Sequence, residues 1–437
     1  MASAAPRPIG VRPEPPWQGR GSFHYDGDMS LRPAETRIAG ADFVRVAACL
    51  LVVATHICSR LNISAARRLL PGLLMQAFQI GQIGFFGVAI FFVLSGYLLA
   101  RPFWRALDAG AAMPSPAVFF LRRAARILPA FWLALAVTAI LEATLFAVPI
   151  DRLFLTRLLA GALLVGDWHW ATLFPVDMDT PLWSIGFEAT CYLLLPAAFA
   201  VIFAAGARRP LRARLLWVAV ILLAVAIHWL IRNYIPMDPS GIGWQYGLIG
   251  GAKTWVPRFN PAAFFVIFAV GALAAGIEVR IAGRRSWWFD LAAVVGFLLA
   301  VVGVPLFSST DQITALLDLP YGFPLFPLGI AVFLAAAPST RLVRRLTDNR
   351  VIAFLASISF GVYLWHFLVL QIIQRLWLPG FASSYSGSEW LAGVATMAVV
   401  TLAISTASFF WLERPVIRWA RRLEAPAIAR VGAAASA

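Results

Sequence analysis

Apolar residues run along this chain in blocks of about 20, the length an α-helix needs to cross the ~30 Å hydrocarbon core of a bilayer. Ten such blocks are legible. They are Gly40 to Cys58, Phe78 to Leu99, Ile127 to Phe146, Leu182 to Ala205 and Leu215 to Ile231, then Ala262 to Ile277, Trp287 to Phe307, Tyr321 to Ala337, Val351 to Ile373 and Trp390 to Leu412. A shorter run, Leu158 to Val165, cannot cross and reads as a re-entrant or interfacial helix. Arginines gather on alternate loops, with Arg101, Arg105, Arg122, Arg123 and Arg126 ahead of the third block and Arg208, Arg209, Arg212 and Arg214 ahead of the fifth. Counting both tails on the arginine-rich side gives a bias of about three to one, which predicts that both termini are cytoplasmic. The expected fold is therefore all-α: a polytopic transmembrane bundle of about ten spans. Residues 1–38 read as a disordered cytoplasmic tail, 39–420 as the membrane domain and 421–437 as a second cytoplasmic tail. Met1 to Arg37 is rich in Pro and Arg and has no apolar core, so no cleavable signal peptide is expected and the first block should remain as a span.

Composition agrees with the pattern. Of 437 residues 61% are apolar and 13% charged, at a mean hydropathy of +0.79. Soluble domains run nearer half apolar and a quarter charged, so a cytosolic enzyme is disfavoured and the lipid bilayer is the first partner. A net charge of +15 would suggest nucleic acid in a soluble protein, but no long polar domain exists to carry a basic patch. Three cysteines make no disulfide framework. Cys49 and Cys58 fall about 180° apart on one helix and read as core residues. No His, Cys or carboxylate set stands at ligand spacing, so metal catalysis is not expected.

An ionisable side chain inside a span is costly and faces a protein interior, a partner or a water-filled cavity, so function is best sought there. In the first span Asp42, Arg45 and His56 share one helical face, at about 0°, −60° and −40°. Arg45 lies about 8 Å and His56 about 24 Å from the inner end of the span. Counting inward from Leu182 puts Glu188 about 21 Å above the inner face, and counting outward from Val351 puts His366 at about 22 Å. Three proton-handling groups are thus expected at similar depth. His228 reaches a comparable level beside Trp229, without a polar motif, and reads as a structural histidine. At the inner level stand Ser95, the Arg122, Arg123 and Arg126 set, and Glu413 with Arg414. Arginines at i and i+3 present two guanidinium forks on one face, which suits phosphate, although topology and anionic lipid alone also put arginines there.

These residues, in this order, resemble the acyltransferase 3 family of integral-membrane acyltransferases. Arg45 and His56, with ten residues between them, resemble the family's first-span signature, and Phe91-Phe92-Val93-Leu94-Ser95-Gly96 its second-span motif. Arg123-Ala-Ala-Arg126 before Ile127-Leu128-Pro129 is similar to the arginine pair ahead of span three. Trp183-Ser184 through Glu188 and Tyr192 resembles the tryptophan-serine-to-glutamate motif, Ser359, Tyr363 and His366 the late serine-tyrosine-histidine element, and Glu413-Arg414-Pro415 the terminal motif. Ala89 and Phe360 depart from the family pattern, where many members carry an acidic residue and an aromatic hydroxyl.

The resemblance implies an enzyme that moves an acyl group, commonly acetyl, from acyl-coenzyme A to a hydroxyl of a carbohydrate, glycan or lipid-linked acceptor. It implies no tightly bound cofactor and a bacterial cytoplasmic membrane. On that basis Arg122, Arg123, Arg126 and Ser95 are expected to hold acyl-coenzyme A. His56 is expected as general base, or as an acyl-histidine, with Arg45 and Glu188 beside it; Tyr363, His366, Trp183 and Ser184 are expected at the acceptor or oxyanion. Buried His, Glu and Arg on a ten-span frame also describe a proton-coupled transporter or flippase, which turnover of labelled acetyl-coenzyme A would separate from an enzyme.

Overall fold

A computed structural model describes residues 38–435, apart from 207–208, 308–315, 342, 344–346 and 348. Every named element among the described residues is helical. The N-terminal tail therefore lies outside the described residues up to residue 37.

The chain runs through α1 (Ala41–Cys58), two short helices α2 (Ile63–Leu69) and α3 (Leu73–Gln82), then α4 (Gly87–Asp108) and α5 (Pro116–Thr144). After α6 (Arg152–Ala162) and a loop of short 3-10 turns come α7 (Ser184–Ala204), α8 (Pro210–Tyr234), α9 (Gly247–Trp255) and α10 (Pro261–Ile281). The remainder is α11 (Trp287–Phe307), α12 (Leu325–Ala336), α13 (Arg350–Leu376) and α14 (Gly387–Ser408), which passes through a π-helical turn, Phe409–Glu413, into α15 (Arg414–Ala435).

Among the described residues eight helices are long and apolar enough to cross a membrane, and the seventh and eighth expected spans appear as the shorter apolar helices Trp287–Val302 and Leu325–Ser339. The chain is an integral membrane protein. Several boundaries move for local reasons. The second block splits: Ile83 breaks the helix after α3, and the span is Gly84–Asp108 rather than Phe78 to Leu99. The third begins at Pro116, where the Ser115 hydroxyl accepts from Val118 N and proline sits in the first turn, so the arginine set is carried within α5 instead of ahead of it. The short run becomes α6, capped by Asp151 and too short to cross. Arg414–Ala435 is helical through residue 420, so the expected tail boundary falls inside an element.

The bundle is organised on α4 and α10, its most extensive helix pair. A Cβ at Gly96 would lie 1.9 Å from Phe268 O, and one at Gly271 would lie 1.9 Å from Val93 O. Only glycine permits this approach, which is how helices associate where lipid offers no hydrophobic drive. Gly96 thus docks α4 on α10 and leaves its neighbour Ser95 to face α7, where it donates to Glu188. α1, α7, α8 and α12 pack on this pair, and α1, α5, α7 and α13 carry the ionisable residues.

Candidate active site

At the arginine-rich end a cavity of about 170 Å³ opens between α1, α5 and α15, lined by Asp42, Arg45, Arg122, Arg123, Arg126, Arg414, Arg421 and Glu424. Arg45 pairs with Asp42 at 3.8 Å. The Arg122 fork is held by both Glu424 oxygens, at 2.8 and 2.7 Å. The π turn carries Glu413, fully buried, whose Oε1 accepts from Ser408 at 3.4 Å. A π turn shifts the phase of the helix beyond it, and the wall that follows contributes Arg414 and Arg421 to the cavity.

Deeper in lies a second cavity of about 120 Å³ that shares Arg45, Arg123, Arg126, Leu98 and Leu99 with the first. It adds Ser95, Ser184, Glu188, Tyr192, Ser359, Phe360 and Tyr363. Glu188 Oε1 accepts from Ser95 Oγ at 3.1 Å and from the Tyr192 hydroxyl. The Tyr363 hydroxyl donates to Pro181 O at 2.8 Å and lies 2.6 Å from Ser184 Oγ, pinning α13 to the start of α7.

Tyr363 and Val88 also line a third cavity, of about 200 Å³, and this one contains His56. The three share walls in series, from the arginines to the imidazole. The His56 ring sits 5.3 Å from His366 and 4.8 Å edge-on to Phe367, centroid to centroid. His366 is fully buried, with Nδ1 2.8 Å from Tyr363 O. A carbonyl only accepts, so Nδ1 carries the hydrogen and Nε2 keeps its lone pair. That Nε2 is buried and has no partner among the described residues.

The expected site residues therefore assemble with one correction. Glu188 is not beside His56. Ser184 meets Tyr363; from there His366 is three residues further from the arginines and Glu188 four residues nearer them, a separation of about 10 Å along the bundle. The depth count assumed that the fourth span starts at the membrane face. Instead Pro181 to Phe187 are all buried, because the segment after α6 folds over the start of α7 and sinks it. His228 is structural as expected, with Nδ1 against Asn260 at 2.9 Å and Nε2 against Leu317 O at 3.1 Å.

Several participants escaped sequence reading. Thr55, Trp244, Trp255, Phe259 and Tyr321 wall the His56 cavity, and none of them belongs to a recognisable motif. Arg60, just beyond the end of α1, is buried and donates to Gln374 and, at 3.0 Å, to Gln371. Its guanidinium lies 5.9 Å from the Phe367 ring that abuts His56. Asp179 is fully buried beside Glu142, and burial followed by that neighbouring charge holds its carboxyl well above the ordinary range. At the surface the reverse applies: a hydrogen bond from Lys253 pulls the Asp238 carboxyl down.

The model of an acyltransferase-domain family matches residues 38–410, most of the chain. This protein belongs to the acyltransferase 3 family. It is an acyltransferase. Nodulation protein 10 of Rhizobium leguminosarum bv. viciae is 26% identical over 357 residues, covering 76% of this chain and 82% of the relative. Acyltransferase MdmB of Streptomyces mycarofaciens is 24% identical over 396 residues, covering 89% and 94%. Peptidoglycan O-acetyltransferase OatA of Listeria monocytogenes is 24% identical over 407 residues, covering 89% of this chain and only 57% of that longer protein. No solved structure matches the chain. The family motifs map onto the three cavities: the arginine pair on the first, the serine-to-glutamate element on the second, and His56 with Tyr363 of the late element on the third, His366 packing behind His56.

Proposed function

We propose that this acyltransferase moves an acyl group, acetyl in the simplest case, from acyl-coenzyme A to a hydroxyl of a carbohydrate, glycan or lipid-linked acceptor. We place it in the bacterial cytoplasmic membrane with its arginine-rich end inside. The observation that carries this reading is the series of cavities joining a cluster of arginines to one imidazole. A polyanionic donor made in the cytoplasm needs cations at its entry and a narrow path to the acceptor.

Arg123 and Arg126, with Arg45, hold the donor's phosphates through guanidinium forks. Arg45 to His56 is 11 residues, about 16 Å of helix. An extended pantetheine arm of roughly 15 to 20 Å covers that distance. Glu188, lying between, accepts from the arm's amide N–H groups. At the outer cavity one nitrogen of His56 is oriented by His366 Nε2 and the other takes the proton of the acceptor hydroxyl. The oxygen attacks the thioester carbonyl, the C–S bond breaks, and the imidazolium returns its proton to the departing thiolate. General-base assistance of this kind contributes about 10² to 10⁴ in rate. Relatives named O-acetyltransferase support transfer to oxygen.

The test is consumption of labelled acetyl-coenzyme A by purified protein in detergent. His56→Ala should abolish transfer at unchanged expression and insertion; retained turnover ends the proposal. Arg126→Ala should raise the KM for donor about tenfold or more, as expected from losing a charge-assisted contact.

A further inference from the structure

The cavity around His56 differs from the other two. Among the described residues no Asp, Glu, Lys or Arg lines it; its polar groups are His56, Thr55, Thr180, Tyr321 and Tyr363 with the indole N–H groups. The rest is mainly aromatic, and the rings interlock. Trp255 lies 5.0 Å from Phe259, 5.1 Å from Trp244 and 5.5 Å from Trp183, and Phe174 lies 6.1 Å from Trp244.

These rings come from two segments distant in sequence, the one after α6 and the one around α9. A buried lysine ties them together. Lys253 Nζ donates to Asp238 Oδ2 and to Ser240 O, both at 2.6 Å, and lies 4.4 Å from the Trp170 ring centroid. It is the single lysine of the chain. The cation joins both segments, so the aromatic walls are organised before anything binds.

We propose that this cavity is the acceptor subsite and that it takes one uncharged pyranose ring, seated with a C–H face on the indoles. This rests on the acyltransferase reading above. Three features specify the ligand. A carboxylate or phosphate would be desolvated there without a cation to meet it. A volume of about 200 Å³ is below the 300 to 1,000 Å³ of pockets for drug-sized ligands, so one ring fits and several do not. Aromatic faces with scattered hydroxyls suit a ring that is apolar on one face and hydroxylated at its rim. The extended acyl chain of a long-chain donor calls instead for an aliphatic tunnel, and Val52, Val88, Pro181 and Leu248 are the non-aromatic apolar residues here.

Two probes differing only in charge test the idea, methyl glucopyranoside and methyl glucuronopyranoside. Binding is followed by tryptophan fluorescence without donor, in wild type and in His56→Ala, and transfer is followed with acetyl-coenzyme A. The glucoside should bind both proteins, and the glucuronoside at least tenfold more weakly. Trp244→Ala removes a half-exposed ring and leaves the core filled. It should weaken glucoside binding about tenfold with the KM for acetyl-coenzyme A unchanged, a loss of the size of one aromatic contact. Trp244→Phe should restore most of it. Equal binding of both probes, or a Trp244→Ala protein altered only in its preference for acetyl over octanoyl donor, overturns the proposal. Glucoside binding with no consumption of donor by wild type would leave the subsite standing and remove the transfer reaction assigned to it.

Discussion

At the residue scale the chemistry follows from what each buried polar group can reach. Tyr363 is the hinge of the site, because its hydroxyl meets both Pro181 O and Ser184 Oγ while its ring lines two cavities. Tyr363→Phe should keep the packing and lose those bonds, costing about 0.5 to 1.5 kcal/mol, since Pro181 O still accepts from Ser184. Thermal unfolding in detergent reads this, and the predicted companion is a drop in kcat larger than any change in donor KM. Asp167 gives a pH prediction. Burial holds its carboxyl up at about 6, from the ordinary 3.8, against the opposing hydrogen bond from Thr190. A carboxyl raised in the folded state carries no penalty below the unfolded value; the penalty grows as pH rises from near 4 to near 6 and is constant above. Asp167→Asn should therefore raise stability at pH 7 by about 2 to 3 kcal/mol and leave it unchanged near pH 4. A gain of equal size at both pH values would refute the electrostatic cause. Arg45, His56, the arginine pair and His366 were legible in the sequence because an ionisable group in a span is conspicuous. Trp244 and Trp255 were not, because an aromatic residue in a loop near a membrane looks like an interfacial anchor until folding turns it inward.

At the scale of elements the informative departure is α15. Glu424 lies in the stretch from residue 421 that reads as a tail, yet it is buried and holds Arg122 in a bidentate pair. The helix thereby closes one wall of the arginine cavity. Glu424→Gln removes the charge and keeps the shape, so Arg122 gains freedom to meet phosphate. The expected result is a lower KM for the donor, by a few-fold, at nearly unchanged kcat. A raised KM would mean instead that the pair is needed to hold the wall in position. Helix existence was readable throughout, whereas helix starts were not. The span ends of α4, α5 and α7 were set by a broken turn, a capping serine and a sunken loop, none of which hydropathy registers. The misjudged depth of Glu188 comes directly from the last of these.

At the scale of the whole molecule the three cavities stand in series, and the wall shared by the second and third makes the last prediction. α4 is docked on α10 through Gly96 and Gly271, which fixes where Val88, two turns from Ser95, points. Val88 is buried and belongs to the second and third cavities together, as does Tyr363 across from it on α13. Enlarging Val88 should therefore plug the route between donor entry and His56 without touching the phosphate contacts or the imidazole. Val88→Phe is expected to leave binding of desulfo-coenzyme A unchanged and to lower transfer a hundredfold or more, since misplacement of about 1 Å already costs that much. Binding is measured by competition with labelled donor, so that entry and chemistry are read separately. Unimpaired transfer in Val88→Phe would mean that the acyl group reaches the acceptor by a path that does not pass between these two helices, and the ordering of the three cavities would lose its functional meaning. Overpacking at this position also costs about 1 to 3 kcal/mol, so Val88→Ile, which adds one methylene, serves as the graded control and should give an intermediate loss.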